Sequence, residues 1–278
     1  MPLDEQILHL AFEKLPRAAR RLADAAAPEA VHGFRAAARR VEVLIEESPA
    51  PSSRNQAKLM KLLRRLQKKA GRVRDLDVQI SALRSLKIPQ EPGRKSHLMR
   101  VLVEERAERE KKLRDSLDKG TLAELRKRTK KAGRGLEVPR AFDPLARASG
   151  RLAQLEKGRP PLTETTLHQY HVAGKRARYL AELAGNSPEA IGLISALKHM
   201  QDIVGDWHDW QGLSERSSGL FGSVQDSALV AALRNITRAK FRLAVSAVDQ
   251  TRAAFTRKPA SPDRAAAMSS GRRPGSAA

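Results

Sequence analysis

Cysteine is absent from all 278 residues of the chain, and aromatic residues make up only 4% of it. Without cysteine the chain forms no disulfide, no thiolate-ligated metal site and no cysteine nucleophile. No segment reaches the roughly 18 apolar residues that a membrane-spanning helix needs. Charged side chains interrupt the apolar ones near the N-terminus, unlike the continuous apolar core of a secretory signal. We therefore expect a cytoplasmic protein without a transmembrane segment.

Positive charge is in large excess over negative charge. The chain has 53 Lys and Arg residues against 31 Asp and Glu residues, a net charge of +22, and its pI is near 11.0. Its hydrophobic content of 41% is enough to build a core, either as one large domain or as two smaller ones. A folded protein with this charge is expected to bind a large anionic partner.

The spacing of apolar residues predicts an all-α fold. Apolar positions recur every three or four residues, and helix-forming residues dominate the composition. Proline and glycine mark breaks at residues 49–51, 89–93, 133–139, 158–161, 185–188 and 219–222. These breaks predict about eight to ten helices of roughly 15–30 residues each. Residues 257–278 are rich in Pro, Gly, Ser, Ala and Arg, which predicts a disordered basic tail.

Two segments of the first half recur in the second half. Residues 31–44 align without gaps on residues 167–180, and residues 63–75 align on residues 197–209. The two offsets are nearly equal, which indicates a duplicated unit of about 135 residues. We place the first unit at about residues 3–135 and the second at about residues 141–256. Each unit is long enough for about four helices, which predicts two joined four-helix bundles.

The aligned segments carry cations and histidines in matching registers. On a helix that turns about 100° per residue, the segments at residues 31–44 and 167–180 each place these side chains within an arc of about 60–80°. The segments at residues 63–75 and 197–209 match at spacings of three, four and three. Arg40 and Arg176 lie to the side and either widen the stripe or meet solvent. The predicted anion-binding residues are His32, Arg35, Arg39, Arg40, Arg64, Lys68, Arg74, His168, His171, Lys175, Arg176, Arg178, Lys198 and His208.

These residue types suit phosphate in different ways. An Arg guanidinium binds two oxygens at once, a Lys ammonium supplies a point charge, and a His contributes a charge that depends on pH. Elsewhere, as in residues 104–112 and 126–131, the basic residues are typical of a solvated helix face paired with Glu. A single histidine such as His32 is also compatible with a structural role.

The aligned segments differ at two of the basic positions and share one glycine position. Glu42 stands where the second segment has Arg178, so it either pairs with a nearby Arg or weakens anion binding in the first half. His171 replaces Arg35 and should make the second half more dependent on pH. Gly71 and Gly205 align with each other, and each either permits a close approach or marks a bend or helix end.

The four segments together resemble the conserved histidine α-helical domain, CHAD. The resemblance rests on His32-x-x-Arg35-x-x-x-Arg39, on Gly71-x-x-Arg74-Asp75 and on their counterparts around residues 168–178 and 197–209. It implies two four-helix bundles related by a pseudo-twofold axis, with the basic stripes lining a central cavity. It further implies inorganic polyphosphate as the bound anion and an association with polyphosphate or polyester storage granules. We expect no catalytic residue, cofactor or metal, because the positions that recur in both halves carry mainly cations.

Two other functions remain open on the residues alone. A nucleic-acid-binding protein would explain the charge, although the chain has few aromatic residues for stacking on bases and no helix-turn-helix or zinc motif. A metal-dependent phosphohydrolase would use His208 and Asp209 with the other acids and histidines of their segment: His168, His171, His199, Asp202 and Asp206. In the first segment the equivalents of three of these are cations, namely Lys68, Arg72 and Arg74, which favours binding over catalysis.

Overall fold

The computed structural model describes residues 5–48, 53–136 and 142–256, and all regular elements in these ranges are helical. Nine α-helices are present in this part of the chain, which confirms the all-α prediction. They are α1 (Glu5–Asp24), α2 (Pro28–Glu47), α3 (Arg54–Ser85), α4 (Pro92–Asp115), α5 (Lys119–Arg134), α6 (Pro144–Glu156), α7 (Glu164–Ala181), α8 (Pro188–Phe221) and α9 (Ala228–Thr256). A 3-10 turn (Glu182–Ala184) follows α7. The predicted tail at 257–278 lies outside the described residues.

Side chains that cap the backbone fix the starts of several helices. Ser53 accepts a hydrogen bond from the backbone N–H of Gln56 at 3.2 Å, and the Gln56 side chain accepts one from the Ser53 N–H at 2.7 Å. Asp118, Asp143 and Ser187 cap α5, α6 and α8 in the same way through one carboxylate or hydroxyl oxygen. Each cap satisfies an amide that would otherwise have no partner, typically stabilising the helix by about 1 kcal/mol.

The larger hydrophobic core receives side chains from all nine α-helices of the described residues, with Leu113 as the contribution of α4. Phe34, Leu63, Leu66, Leu197 and Trp207 are almost fully buried within it. Burial of each such side chain stabilises the fold by about 1.5–3 kcal/mol. The core therefore joins helices from both halves of the chain.

A second hydrophobic cluster lies at the far ends of the two longest helices. It contains Leu83 of α3, Leu98 and Leu102 of α4, Leu213 of α8 and Leu233 of α9, all fully buried. α3 has 32 residues and α8 has 34, so each is about 50 Å long and passes through both clusters.

The four helices that carry the aligned segments lie side by side; they are α2, α3, α7 and α8. α2 packs against α3, α7 packs against α8, and the two pairs meet through contacts of α2 with α7 and of α3 with α8. α1 and α5 complete one side, and α6 and α9 complete the other. Within the described residues α1–α5 precede residue 141, so the first half has five helices and not about four. The four helices that carry the aligned basic segments are thus direct neighbours.

A buried ion pair connects α4 to α3. Arg106 Nε donates to Asp77 Oδ1 at 2.8 Å, its Nη2 donates to the Ala26 carbonyl at 2.8 Å, and it also pairs with Glu110. The Asp77 side chain is only 6% exposed. Loss of the guanidinium would leave a buried carboxylate without its cation, which is far costlier than losing a surface pair.

We expect Arg106→Met to lower the free energy of unfolding by about 3 kcal/mol, since one partner of a buried pair is removed. Urea unfolding at neutral pH measures this. The matched control is Arg100→Met on the same helix, because the Arg100 side chain is 63% exposed and, among the described residues, its ion pair is with the exposed Glu104. Its expected loss is about 0.5 kcal/mol or less. Equal losses for the two variants would contradict this role of Arg106.

Candidate anion-binding site

Arg35 reaches from α2 across the surface of α3. Its Nη1 donates to the Gln67 carbonyl at 3.2 Å, and a Cβ atom on residue 71 would lie 2.7 Å from the same nitrogen. Gly71 lies inside α3, which continues to Ser85, so it does not mark a helix end. The absence of a side chain at Gly71 therefore makes room for the Arg35 guanidinium.

His171 occupies the corresponding place between α7 and α8. A Cβ atom on Gly205 would lie 3.3 Å from His171 Cε1. Burial, with a further contribution from the Lys175 ammonium, lowers the pKa of His171 to about 3. This imidazole is therefore neutral at physiological pH, and the prediction that it makes the second half pH-dependent was wrong.

Lys175 of α7 lies among guanidinium groups from two helices. Burial, together with the charges of Arg35, Arg39 and Arg178, lowers its pKa to about 8, while the Asp209 carboxylate opposes this shift. A depressed lysine pKa means that the charged ammonium is held at a cost in free energy. Cations from α2 and α7 thus lie close to one another at this point.

Two acidic residues lie among these cations. Burial raises the pKa of Asp75, the Arg35 charge lowers it, and the Asp209 carboxylate raises it again. Lys175 and His208 also act on Asp75, which places α3, α7 and α8 at one point. Asp75 is still exposed to solvent, so these groups meet at an accessible surface.

Histidines flank the cluster. Burial lowers the pKa of His32, and Arg74 and Arg35 lower it further. The rings of His168 and His208 lie 5.7 Å apart between centroids, and the Asp209 carboxylate raises the pKa of His208. These contacts bring residues from all four helices together. We call this cluster the four-helix site; its members are His32, Arg35, Arg39, Arg74, Asp75, His168, His171, Lys175, Arg178, His208 and Asp209.

Several predicted cations are engaged in ion pairs. Arg40 of α2 pairs with Glu182 at 2.8 Å, and Arg176 of α7 pairs with Glu46 at 3.3 Å. These two arginines therefore connect α2 to the α7 region instead of simply widening the stripe or meeting solvent. The remaining pairs are Arg39–Glu42 at 3.0 Å, Arg64–Glu46 at 3.3 Å and Arg178–Glu182 at 3.5 Å. The expected pairing of Glu42 with a nearby Arg is confirmed.

Lys68 and Lys198 differ from the other predicted residues. Both are exposed, on α3 and α8 respectively, and no contact described for the chain links either to the four-helix site.

The acids proposed for a metal site are dispersed. Asp206 pairs with Lys240 at 2.6 Å and accepts from Trp210 Nε1 at 3.1 Å, so it faces α9. In the described ranges, no three His, Asp or Glu side chains form a group that could hold a metal ion.

Some residues of the site were not predicted. Glu46 and Glu182 supply the counter-charges, and the Tyr179 ring lies 5.0 Å from the Arg178 guanidinium carbon and 5.5 Å from that of Arg40. Asp75 and Asp209 had a usable signal, because they occupy matching positions in the aligned segments. Glu46 had none, since its partners Arg64 and Arg176 lie on other helices. Glu182 had a local signal in its i,i+4 spacing from Arg178, but its pairing with Arg40 of α2 could not be read from the sequence.

The sequence profile of the CHAD domain matches residues 6–217. The chain belongs to the CHAD family. The matched region covers α1 to most of α8, and in this CHAD protein α9 packs along α8 beyond it. No curated protein matches the sequence.

A solved CHAD structure has the same fold. The crystal structure of the CHAD domain from the plant Ricinus communis is similar to this chain, with a TM-score of 0.68 and 18% sequence identity. The similarity covers 91% of this chain and 90% of that one. At this identity the likeness supports the shared fold. The part of this CHAD chain that the structure describes has no helix apolar and long enough to span a bilayer.

Proposed function

We propose that the four-helix site binds inorganic polyphosphate. The observation that carries the proposal is the crowding of cations around Lys175, whose pKa falls to about 8 through burial and the charges of Arg35, Arg39 and Arg178. An anion placed among these groups would offset their repulsion. CHAD membership and the resemblance described above support polyphosphate as that anion.

The shape of the ligand suits the arrangement of the cations. Polyphosphate is a linear polymer with about one negative charge per phosphate and no bases. Arg74 of α3, Arg35 of α2 and Lys175 of α7 are not held in any ion pair within the described residues, so they are available for phosphate oxygens. Guanidinium groups bind such oxygens in pairs. We propose a binding protein without a catalytic residue, cofactor or metal, located in the cytoplasm at polyphosphate-containing granules.

The aromatic residues weigh against binding of single-stranded nucleic acid. Single strands are held by stacking of bases on exposed aromatic rings. Both tryptophans and both tyrosines, at positions 207, 210, 170 and 179, are buried. A nucleic acid would therefore gain no stacking contact from Trp or Tyr, and polyphosphate offers a denser charge to the same cationic groups.

Titration with polyphosphate of defined length tests the proposal. Affinity should fall steeply with salt, because each neutralised phosphate releases counterions. At about 0.15 M salt, polyphosphate should bind far more tightly than sulfate and should displace double-stranded DNA. Binding no tighter than sulfate would overturn the proposal, and failure to displace DNA would favour nucleic acid. Phosphate release with Mg²⁺ or Mn²⁺ that Asp209→Ala abolishes would instead indicate a hydrolase.

The glycine under Arg35 gives a sharper test of the site. Gly71→Ala places a methyl group 2.7 Å from Arg35 Nη1, so the guanidinium has to move. We expect polyphosphate affinity to fall about tenfold, the effect of one charge-assisted contact. Gly33→Ala is the matched control, since a Cβ atom there meets nothing within 4 Å. Calorimetric titration of both variants measures the difference, and equal affinities would contradict the role of Gly71.

A further inference from the structure

A separate cavity lies between α1 and α5, away from the four-helix site. Its volume is about 610 Å³, within the usual range for small-molecule sites. Phe12, Pro16 and Gly133 line its apolar part. A Cβ atom on Gly133 would lie 3.1 Å from the Phe12 ring, so the two helices are tightly packed at this point. None of the residues lining this cavity belongs to the four-helix site.

Cations dominate the polar part of the same cavity. α5 contributes Arg126, Lys130 and Arg134, spaced one helical turn apart, and α1 contributes Arg17 and Arg20. Residues four apart on a helix are neighbours, so the α5 cations form one row along the cavity. The single acidic lining residue is Glu13, which pairs with Arg17 at 3.4 Å and lies 3.4 Å from His9. The cavity therefore has a large excess of positive charge.

A buried hydroxyl belongs to one of the residues that line this cavity. Thr129 lines the cavity and is only 1% exposed. Its Oγ1 has no hydrogen-bond partner among the described residues. A buried hydroxyl without a partner destabilises a protein. A polar atom of a bound ligand would provide that partner.

We propose that the α1–α5 cavity binds a nucleoside polyphosphate. The apolar part takes the base and sugar, the row of cations on α5 with Arg17 and Arg20 takes the phosphates, and Thr129 Oγ1 hydrogen-bonds the ligand. A bare phosphate chain has nothing to place against Phe12 and Pro16. This distinguishes the ligand of the cavity from that of the four-helix site.

ATP is the probe, measured by isothermal titration calorimetry. In Arg126→Glu/Lys130→Glu the dissociation constant should rise at least about tenfold, because two phosphate contacts become repulsive. The control is Lys127→Glu/Lys131→Glu, which makes the same charge change one residue along the same helix, on exposed residues outside the cavity lining. This control should leave the constant nearly unchanged. Equal losses in the two pairs, or no ATP binding to the natural sequence, would overturn the inference.

Thr129→Val separates a binding role from a structural one. Valine has a similar shape and lacks the hydroxyl, so the melting temperature should stay the same or rise. The dissociation constant for ATP should rise about threefold or more through the lost hydrogen bond. A variant that binds ATP as well as the natural chain would show that the hydroxyl does not contact the ligand and would overturn that part of the inference.

A variant of the four-helix site keeps the two proposals distinguishable. The Arg74→Gln/Lys175→Gln variant should bind ATP as tightly as the natural sequence does. Inorganic tripolyphosphate has no apolar part, so this variant should bind tripolyphosphate at least about tenfold more weakly than ATP. Loss of ATP binding in this variant would place ATP at the four-helix site and overturn the inference. Failure of the natural chain to bind long polyphosphate would overturn the proposed function and leave the ATP test unaffected.

Discussion

Replacement of both Arg74 and Lys175 by glutamine is expected to weaken polyphosphate binding by about 3 kcal/mol, or more than 100-fold. The two cations come from α3 and α7, and each would lose a charge-assisted contact worth about 1.5–3 kcal/mol. The charged ammonium of Lys175 lowers the stability of the folded state, because burial and the neighbouring cations lower its pKa to about 8. Its neutral replacement should therefore not lower the melting temperature at pH 7. Titration at about 0.15 M salt measures the binding change.

The matched control removes the same charge from another face. Arg234 and Arg238 are exposed on α9, one turn apart, and neither forms an ion pair within the described ranges. Arg234→Gln/Arg238→Gln should lower affinity only a few-fold, through the general field of the protein. If both double variants lost the same affinity, the net charge of +22 and not the four-helix site would account for binding.

Affinity for polyphosphate should also fall as the pH rises from about 7.5 to about 9. The pKa of Lys175 is lowered to about 8, so its charge is present below that pH and is lost above it. A bound polyanion favours the charged ammonium, and its affinity should drop about tenfold across this window. Burial lowers the pKa of His32 and of His171, so neither imidazole changes its charge in this window. The pKa of His208 is raised, so a variant at Lys175 is needed to separate the two groups. Titrations at fixed ionic strength measure the effect.

Lys175→Arg is the control for this pH dependence. A guanidinium remains charged throughout the window, so the affinity of the variant should stay nearly constant from about pH 7.5 to about pH 9. A variant whose affinity falls as steeply as that of the natural sequence would show that another group titrates. The neutral His171, with a pKa of about 3, cannot be that group.

Most of the helices could be predicted from the sequence, because proline and glycine mark most of their ends. The three alanines at residues 25–27 are followed by Pro28, the first residue of α2, so this connection also had a proline signal. The connection between α4 and α5 has no proline or glycine, since residues 116–118 are Ser, Leu and Asp. Pro16 misleads in the other direction, since it lies within α1 without ending it. Local sequence indicates where a helix can end, and tertiary packing decides where it does.

The candidate site could be predicted as helix faces but not as contacts. Periodicity shows that Arg35 and Arg39 share a face of α2 and that Lys175 and Arg178 share a face of α7. It does not show which helix those faces meet. The pairing of Arg40 with Glu182, 142 residues away, depends on the packing of α2 against the α7 region. For the same reason the role of Gly71 became clear only from the position of Arg35.

The two long helices, α3 and α8, connect the four-helix site to both hydrophobic clusters. Gly71 and Arg74 lie in the middle of α3, and Gly205 and His208 lie in the middle of α8, between the two hydrophobic clusters that these helices join. Unfolding of either cluster would also loosen α3 and α8, which contribute side chains to the other cluster. Unfolding should therefore be cooperative, and an anion that clamps α3 to α8 should raise a single melting transition for both clusters.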